Sequence, residues 1–200
     1  MHRGADFYRQ LIVWLWAAWG LYWLASALNA KTTQRRESPG SRLAHVIPLV
    51  IGGALIAWQQ TRWSWLAARL WPRSYTAYCV GVALLVAGLV FAVWARVHLG
   101  RNWSGTVTVK EGHELIRSGP YAYVRHPIYT GILAAVLGTA VASGTVHAAL
   151  GLLVITAALL RKLGIEEAFM RATFPGQYES YSARVPALVP FAKGVRSAPR

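Results

Sequence analysis

The sequence predicts an all-α integral membrane protein: five transmembrane helices with a small cytosolic cap built from the third loop and the C-terminal segment. Three observations point there. Of 200 residues, 55% are hydrophobic and only 14% charged, whereas a soluble domain carries about 25% charged residues. Five apolar segments approach the ~17–25 residues that a spanning helix needs. The basic residues gather in alternate loops, the asymmetry that orients membrane proteins.

The segments follow in order. Residues 11–28 are uncharged. Residues 43–60 contain Pro48 and a Gly52-Gly53 pair. Residues 75–95 form the longest uninterrupted apolar run. Residues 128–145 and 146–160 meet at Ser143-Gly144, which predicts a tight antiparallel hairpin. Gly131, Ala135, Gly138 and Ala142 share one face of the fourth segment and predict close helix packing. The chain reads as a single membrane-embedded domain over residues 1–200, with no internal repeat.

Charge sets the orientation. Four Lys/Arg lie in the first loop, five in the third and seven beyond residue 160, so sixteen of twenty-one fall on one side. Five spans with the N-terminus outside put those sixteen in the cytosol. The same bias accounts for a net charge of +14 that in a soluble chain would suggest nucleic acid. The second loop, with Trp63, Trp65 and Trp71, reads as an interfacial segment. A cleavable leader is the rival reading of the N-terminus: Arg3 and Arg9 precede the first apolar run and Ala25-Ser26-Ala27 resembles a cleavage site. That would leave four spans and one basic end against the charge rule.

Polar chemistry is expected on the cytosolic side, where the third loop and C-terminal segment hold five of the seven acidic residues. No predicted span contains Asp or Glu, against an ion pump or proton relay. Lone Cys79 excludes an intrachain disulfide or a Cys-based metal site. His98, His113 and His126 match no metal spacing, and His45 and His147 make a poor haem pair.

The most informative stretch is RSGPYAYVRHPIYTG, residues 117–131. Pro127 suits the first turn of a helix, so Arg125, His126 and Tyr129 stand at a helix mouth, where unpaired N–H groups favour an anion. Thr106-Val107-Thr108-Val109 predicts a short strand, with Glu111-Gly112 as its turn and His113 to Ile116 returning toward Tyr121. If the fifth helix continues past the membrane, Lys162 and Glu166 become i, i+4 neighbours, and the hairpin brings them, with Glu167, to Arg125 and His126. Each also has a plain reading: Arg125 as an interfacial anchor, His126 as a helix cap, Glu166 and Glu167 as surface acids pairing with Arg161 and Lys162.

These residues carry a resemblance. Arg125-His126-Pro127-x-Tyr129-x-Gly131, followed after one helical hairpin by Glu166-Glu167, resembles the membrane-embedded methyltransferases, which include isoprenylcysteine carboxyl methyltransferases and phospholipid N-methyltransferases. Phe174-Pro175-Gly176-Gln177-Tyr178, the run from Arg184-Val185-Pro186 to Gly194, and His113-Glu114-Leu115-Ile116-Arg117-Ser118-Gly119 are similar to the isoprenylcysteine branch. The resemblance spans residues 97–195. It implies S-adenosylmethionine as methyl donor, contacted by His113, Glu114, Leu115, Ile116, Tyr121, His126, Pro127, Ile128, Tyr129 and Glu166. Lys162 stands where the family usually has an arginine, keeping the charge but losing the planar fork.

The donor's chemistry suits such residues. Its amino group calls for an acid such as Glu166, its carboxylate for the helix start at His126-Pro127, its adenine for an aromatic wall such as Tyr121 or Tyr129. A carboxylate acceptor is already ionised at neutral pH and needs no base; Arg125, Arg161 or Lys162 would align it. The expected function is methyl transfer to the carboxyl of a prenylated cysteine or similar lipophilic acid. The alternatives are phospholipid N-methylation, which needs a base, a reductase-like or accessory membrane protein using a nicotinamide cofactor, and a non-enzymatic scaffold. The expected partners are membrane lipid and a lipophilic substrate, without nucleic acid.

Overall fold

The computed structural model describes residues 2–28, 33–36, 38–58, 64–100, 108–110 and 115–191. Among them are seven α-helices: α1 (His2–Ala27), α2 (Pro39–Ala57), the single turn α3 (Ser64–Ala67), α4 (Tyr75–Leu99), α5 (Pro127–Ser143), α6 (Val146–Thr173) and α7 (Gln177–Arg184). A 3₁₀ turn spans Gly119–Ala122, and β1 (Thr33–Arg36) pairs antiparallel with β2 (Thr108–Lys110). Helices α2, α4 and α6 are each long and apolar enough to cross a membrane, and α5 is a shorter apolar helix of 17 residues. The chain is an integral membrane protein. Helix α1 is long enough as well, but Trp14, Trp16, Trp19, Tyr22 and Trp23 dilute its aliphatic content.

Local chemistry sets the boundaries. Ser38 Oγ accepts from the Ser41 N–H at 3.2 Å and Ser74 Oγ from the Ala77 N–H at 3.1 Å, each satisfying an N-terminal donor of its helix. Pro127 opens α5 at a position where no N–H is missed. Gly144 ends α5 with φ of 63°, and a Cβ there would lie 2.7 Å from the Trp71 indole nitrogen. Only glycine combines that backbone with that approach, and it leaves Thr145 alone to start α6. The expected hairpin therefore forms.

Small residues hold the bundle together. The most extensive partner of α5 is α4: Gly81 and Gly88 lie against Gly138 and Gly131, backbone on backbone. A Cβ on Gly81 would stand 2.5 Å from the Gly138 carbonyl oxygen, and one on Gly131 would stand 2.5 Å from that of Gly88. Helix α6 packs on α2 in the same way, with Gly151 against Gly52. In lipid, packing replaces the hydrophobic effect as the force between helices, and small residues permit it. Leu85, Ala92 and Ala135 are fully buried along the α4–α5 seam.

The fifth helix continues beyond its expected span, to Thr173, which is the continuation that the meeting of Lys162 and Glu166 with the mouth of α5 requires. The first helix begins at His2, ahead of its expected span. The expected strand near residue 108 forms, but its partner is β1 in the first loop; Thr106, Val107 and the expected turn at Glu111-Gly112 lie outside the described residues. The fold is thus helical with one small ribbon, which ties the first and third loops together. The second loop folds onto the hairpin tip: Leu70 N–H donates to Gly144 O at 2.8 Å, Val146 N–H to Ala68 O at 3.0 Å and Trp71 Nε1–H to Val141 O at 3.2 Å. Trp65 is exposed, and Trp63 lies outside the described residues.

The seam predicts an asymmetry between glycines. Gly138→Ala should lower the unfolding temperature of the detergent-solubilised protein, because overpacking against backbone costs about 1–3 kcal/mol. Gly20→Ala, where a Cβ meets nothing within 4 Å, should be neutral or raise it, since alanine is about 1 kcal/mol better than glycine inside a helix.

Candidate functional site

The site arises from a difference in length. The 28 residues of α6 extend about 42 Å at 1.5 Å per residue, some 12 Å more than the ~30 Å apolar core of a bilayer. Its last turns carry Lys162, Glu166, Glu167 and Arg171, and the start of α5 lies beside them. Tyr129 Oη donates to Glu166 Oε1 at 2.5 Å. Lys162 Nζ lies 3.7 Å from the same oxygen and 5.5 Å from the centre of the Tyr129 ring. His126 stacks on Tyr129 with ring planes 5° apart. Its Nδ1 lies 3.6 Å from Glu166 Oε2 and its Nε2 lies 3.4 Å from Glu167 Oε1, the latter without hydrogen-bond geometry.

Arg125 is committed within the protein. Its Nε donates to Glu167 Oε1 at 2.9 Å and its Nη2 to the same oxygen at 2.5 Å. Its Nη1 donates to the carbonyls of Ser182 at 3.1 Å and Val185 at 2.5 Å. Glu167 Oε2 accepts in turn from Arg171 at 2.8 Å. The segment after α7 then runs along the mouth of α5: Arg125 N–H donates to Pro186 O, His126 N–H to Ala187 O and Thr130 Oγ1 to Leu188 O. The chain's own C-terminal segment therefore straps the helix mouth that the sequence presents as open.

The 3₁₀ turn forms the opposite wall. Tyr121 is buried, its ring stacks on His98, and its carbonyl accepts from Tyr181 Oη at 2.6 Å. His98 in turn bonds to Ser118 Oγ at 2.9 Å and packs against Gly119, where a Cβ would lie 2.7 Å from the His98 ring and the φ of 59° itself favours glycine. Ile116, Ile128 and Tyr129 complete an apolar lining around Tyr121. Burial and then the Glu166 carboxylate push the Tyr121 phenol upward, so it stays a neutral hydroxyl. Burial alone would favour neutral imidazole at His126, but the carboxylates of Glu166 and Glu167 outweigh it and hold its pKa above the ordinary imidazole value.

The structure thus brings together Ile116, Tyr121, Arg125, His126, Pro127, Ile128, Tyr129, Lys162 and Glu166. It does not bring Arg161 to them: that side chain is exposed and donates to Ser41 O at the start of α2, at 3.0 Å. Leu115 is half-buried at the start of the described stretch, and His113 and Glu114 lie outside the described residues. Glu167 lies beside Arg125 and His126 as the hairpin predicts, buried between them and Arg171 rather than paired at the surface. Arg171 was missed, although its i, i+4 spacing from Glu167 gives it away. The carbonyls of Ser182, Val185, Pro186, Ala187 and Leu188 carry no side-chain signal at all. Among the described residues no group of three His, Cys, Asp or Glu could hold a metal ion, and both ring nitrogens of His147 are engaged, by Thr145 Oγ1 and Leu55 O.

Residues 81–172, from the glycine seam through the end of the ion cluster, match the model of the isoprenylcysteine carboxyl methyltransferase (ICMT) family. Relatives include protein-S-isoprenylcysteine O-methyltransferase of Schizosaccharomyces pombe, 36% identical over 99 residues, covering 48% of this chain and 42% of that protein. Protein-S-isoprenylcysteine O-methyltransferase B of Arabidopsis thaliana is 29% identical over 114 residues, covering 56% and 58%. The chain thus spans about half the length of the curated relatives it matches. Its fold is that of the eukaryotic intramembrane Ras methyltransferase ICMT, with a TM-score of 0.53 at 24% identity over 80% of this chain and 55% of that one.

The ion cluster makes two predictions. Arg125→Ala strands the buried Glu167 carboxylate, and loss of one partner of a buried pair costs about 3–5 kcal/mol; Arg161→Ala removes only a surface contact, worth within about 0.5 kcal/mol. Detergent unfolding midpoints of the two variants should separate accordingly. The raised His126 pKa favours the imidazolium in the folded protein, so its contribution is complete below the unperturbed value of about 6.5 and fades as pH climbs through the raised value. Above neutral pH the unfolding temperature should therefore fall more steeply for the unaltered protein than for His126→Gln.

Proposed function

We propose that this chain, whose residues 81–172 match the model of the isoprenylcysteine carboxyl methyltransferase family, transfers a methyl group from S-adenosylmethionine to a carboxylate of a lipophilic substrate, with the C-terminal carboxyl of a prenylated cysteine as the preferred acceptor. The observation that carries the reading is the side-by-side placement of one acid and two cations at the membrane surface: Glu166, with Lys162 and His126 within 4 Å of it. A donor that is itself zwitterionic is matched by Glu166 with His126, which leaves Lys162 on the other oxygen of Glu166 for the acceptor. The buried His126 imidazole, with Nε2 3.4 Å from Glu167 Oε1, adds positive charge at the mouth of α5. The same positions suggest that Glu166 holds the donor's ammonium, that His126 and the start of α5 face its carboxylate, and that Tyr121, Ile116 and Tyr129 line its adenine.

When bound, the donor supplies a methyl carbon made electrophilic by its sulfonium. An acceptor carboxylate oxygen forms the new C–O bond as the C–S bond breaks, and the sulfur keeps the bonding pair as a neutral thioether. Cation and anion become two neutral products, so a site with little water favours the transition state over separated ions. No proton moves, and the protein's part is positioning. Lys162 takes the acceptor-orienting role. Arg125 is a positioning residue: through Glu167 and the strap it fixes the mouth of α5. Five membrane-spanning segments, α1, α2, α4, α5 and α6, with the N-terminus outside, put the site on the cytosolic side, which agrees with the sixteen basic residues there. A lipid-anchored acceptor then reaches the site from the inner leaflet.

The purified protein, given methyl-labelled donor and farnesylcysteine, should form a base-labile methyl ester. Label on phosphatidylethanolamine would instead support N-methylation, and no donor binding by calorimetry would sink both. Glu166→Ala should abolish donor binding, while Lys162→Ala should leave donor affinity nearly intact and lower acceptor turnover at least tenfold. Unchanged donor affinity in both variants would overturn this placement of the pocket.

A further inference from the structure

Helix α7 has eight residues, Gln177–Arg184, and two of them are buried against the site: Tyr178 and Tyr181, 2% and 4% exposed, packed edge to face with ring centres 6.0 Å apart. The Tyr181 hydroxyl reaches beyond that packing. Its Oη donates to the Tyr121 carbonyl at 2.6 Å, in the 3₁₀ turn. The next residue in the chain, Ser182, offers its carbonyl to Arg125 Nη1 at 3.1 Å, at the mouth of α5. Val185 N–H donates to Tyr181 O at 3.0 Å, and the Val185 carbonyl accepts from the same Arg125 nitrogen. Consecutive Cα atoms stand about 3.8 Å apart. One peptide unit of α7 therefore ties the aromatic wall of the site, at Tyr121, to its charged wall, at Arg125 and Glu167.

The oxygen of Tyr181 does more than pack. A phenylalanine would fill nearly the same volume and keep the Tyr178 contact, so packing alone does not call for a hydroxyl. Burial pushes the Tyr181 phenol up to about 12, so it remains a hydroxyl able to donate at neutral pH. Its acceptor is the backbone carbonyl of the residue whose ring forms the wall. A buried carbonyl that loses its donor turns to find another, and the Tyr121 ring turns with it. The other supports of that residue, the His98 ring and a bond from its own N–H to Ser118 O at 3.2 Å, hold the turn to α4 and to itself; Tyr181 holds it to α7. On the reading proposed above, the donor spans both walls, with its adenine at Tyr121 and its amino-acid end at Glu166 and His126, whereas the acceptor is oriented from α6 by Lys162. Donor affinity then depends on the separation of the two walls. Resting on that reading, we infer that Tyr181 is a positioning residue for the donor's adenine: through the Tyr121 carbonyl its hydroxyl holds the aromatic wall at the spacing from the mouth of α5 that an adenosyl donor requires.

The test is a double-variant cycle on the detergent-purified full chain, read by calorimetry with S-adenosylmethionine and by turnover of farnesylcysteine. Tyr181→Phe should raise the donor Kd and KM roughly tenfold, the effect of losing one buried hydrogen bond. Its kcat at saturating donor and its acceptor KM should stay within about twofold of the unaltered protein, because the hydroxyl does not act on the transferring methyl. Tyr121→Ala removes the wall itself. In that background Tyr181→Phe should weaken the donor by less than about twofold, since residues acting through one contact are not additive. Elution like that of the unaltered protein establishes that each variant folds. Unchanged donor affinity in Tyr181→Phe would overturn the inference. So would an equal loss in both backgrounds, or a fall in kcat with donor affinity intact, either of which marks a general loosening of the site. An unaltered protein that binds no donor would instead overturn the methyl-donor reading, and the inference with it, so the two failures are told apart before any variant is made.

Discussion

The buried contact between Arg125 and Glu167 is the constraint on which the rest of the site depends. It joins the start of α5 to the extended end of α6, and the same guanidinium reaches the carbonyls of Ser182 and Val185 beyond α7. Three chain segments far apart in sequence meet at one planar cation. Lysine, a single point charge, has no geometry for this. Such a pair contributes little net stability against an apolar replacement, and its worth is in fixing a unique arrangement around it. Arg171 on the other oxygen of Glu167 and the imidazolium of His126 beside it complete the neutralisation of a carboxylate that could not stand there alone.

That arrangement needs a rigid base. The glycine contacts between α4 and α5 bring two backbones together along the seam, and the pair α2–α6 repeats the device. Close-packed backbones have few alternative positions, so the mouth of α5 is held from below by Gly131 and Gly138 and from above by the C-terminal strap. His98 at the end of α4 carries the same rigidity into the 3₁₀ turn through Ser118 and Gly119. Buried Arg96, two residues earlier, donates to Gly100 O and to Ser26 O, joining the ends of α4 and α1. The polar cluster is thus framed on each side by elements that cannot slide.

Much of this was legible in the sequence. Apolar length and the Ser143-Gly144 break gave the hairpin, and i, i+4 spacing along a continued α6 gave the meeting of Lys162 and Glu166 with His126 and Tyr129. The small-residue face of α5 was readable as packing, but its partner was not: glycine on one helix does not name the helix it faces, and α4 carries its own glycines at matching spacing. Arg125 was ambiguous because sequence reveals charge and not its acceptors, most of which are backbone carbonyls. Arg161 was misplaced for a related reason. It is adjacent to Lys162 in sequence, but one residue along a helix is a turn of about 100°, enough to send it to α2. The β1–β2 pairing escaped because Thr33–Arg36 is polar and has no alternation to mark it as a strand.

The overhang of α6 has a geometric consequence. By carrying Lys162 and Glu166 about 24 and 30 Å along one rigid rod from Val146, at the margin of a ~30 Å apolar core, it sets a fixed depth at which any group meeting that cluster is presented. A group directly attached to its anchor arrives at that depth by default; one on a long soluble tether spends most of its time elsewhere, and one buried among acyl chains never rises to it. Under the proposed function, selection among acceptors acts as a plumb line, by depth before shape, and every residue inserted into or removed from α6 between Ile155 and Lys162 would both reset the depth by about 1.5 Å and rotate the cluster by about 100° around the helix.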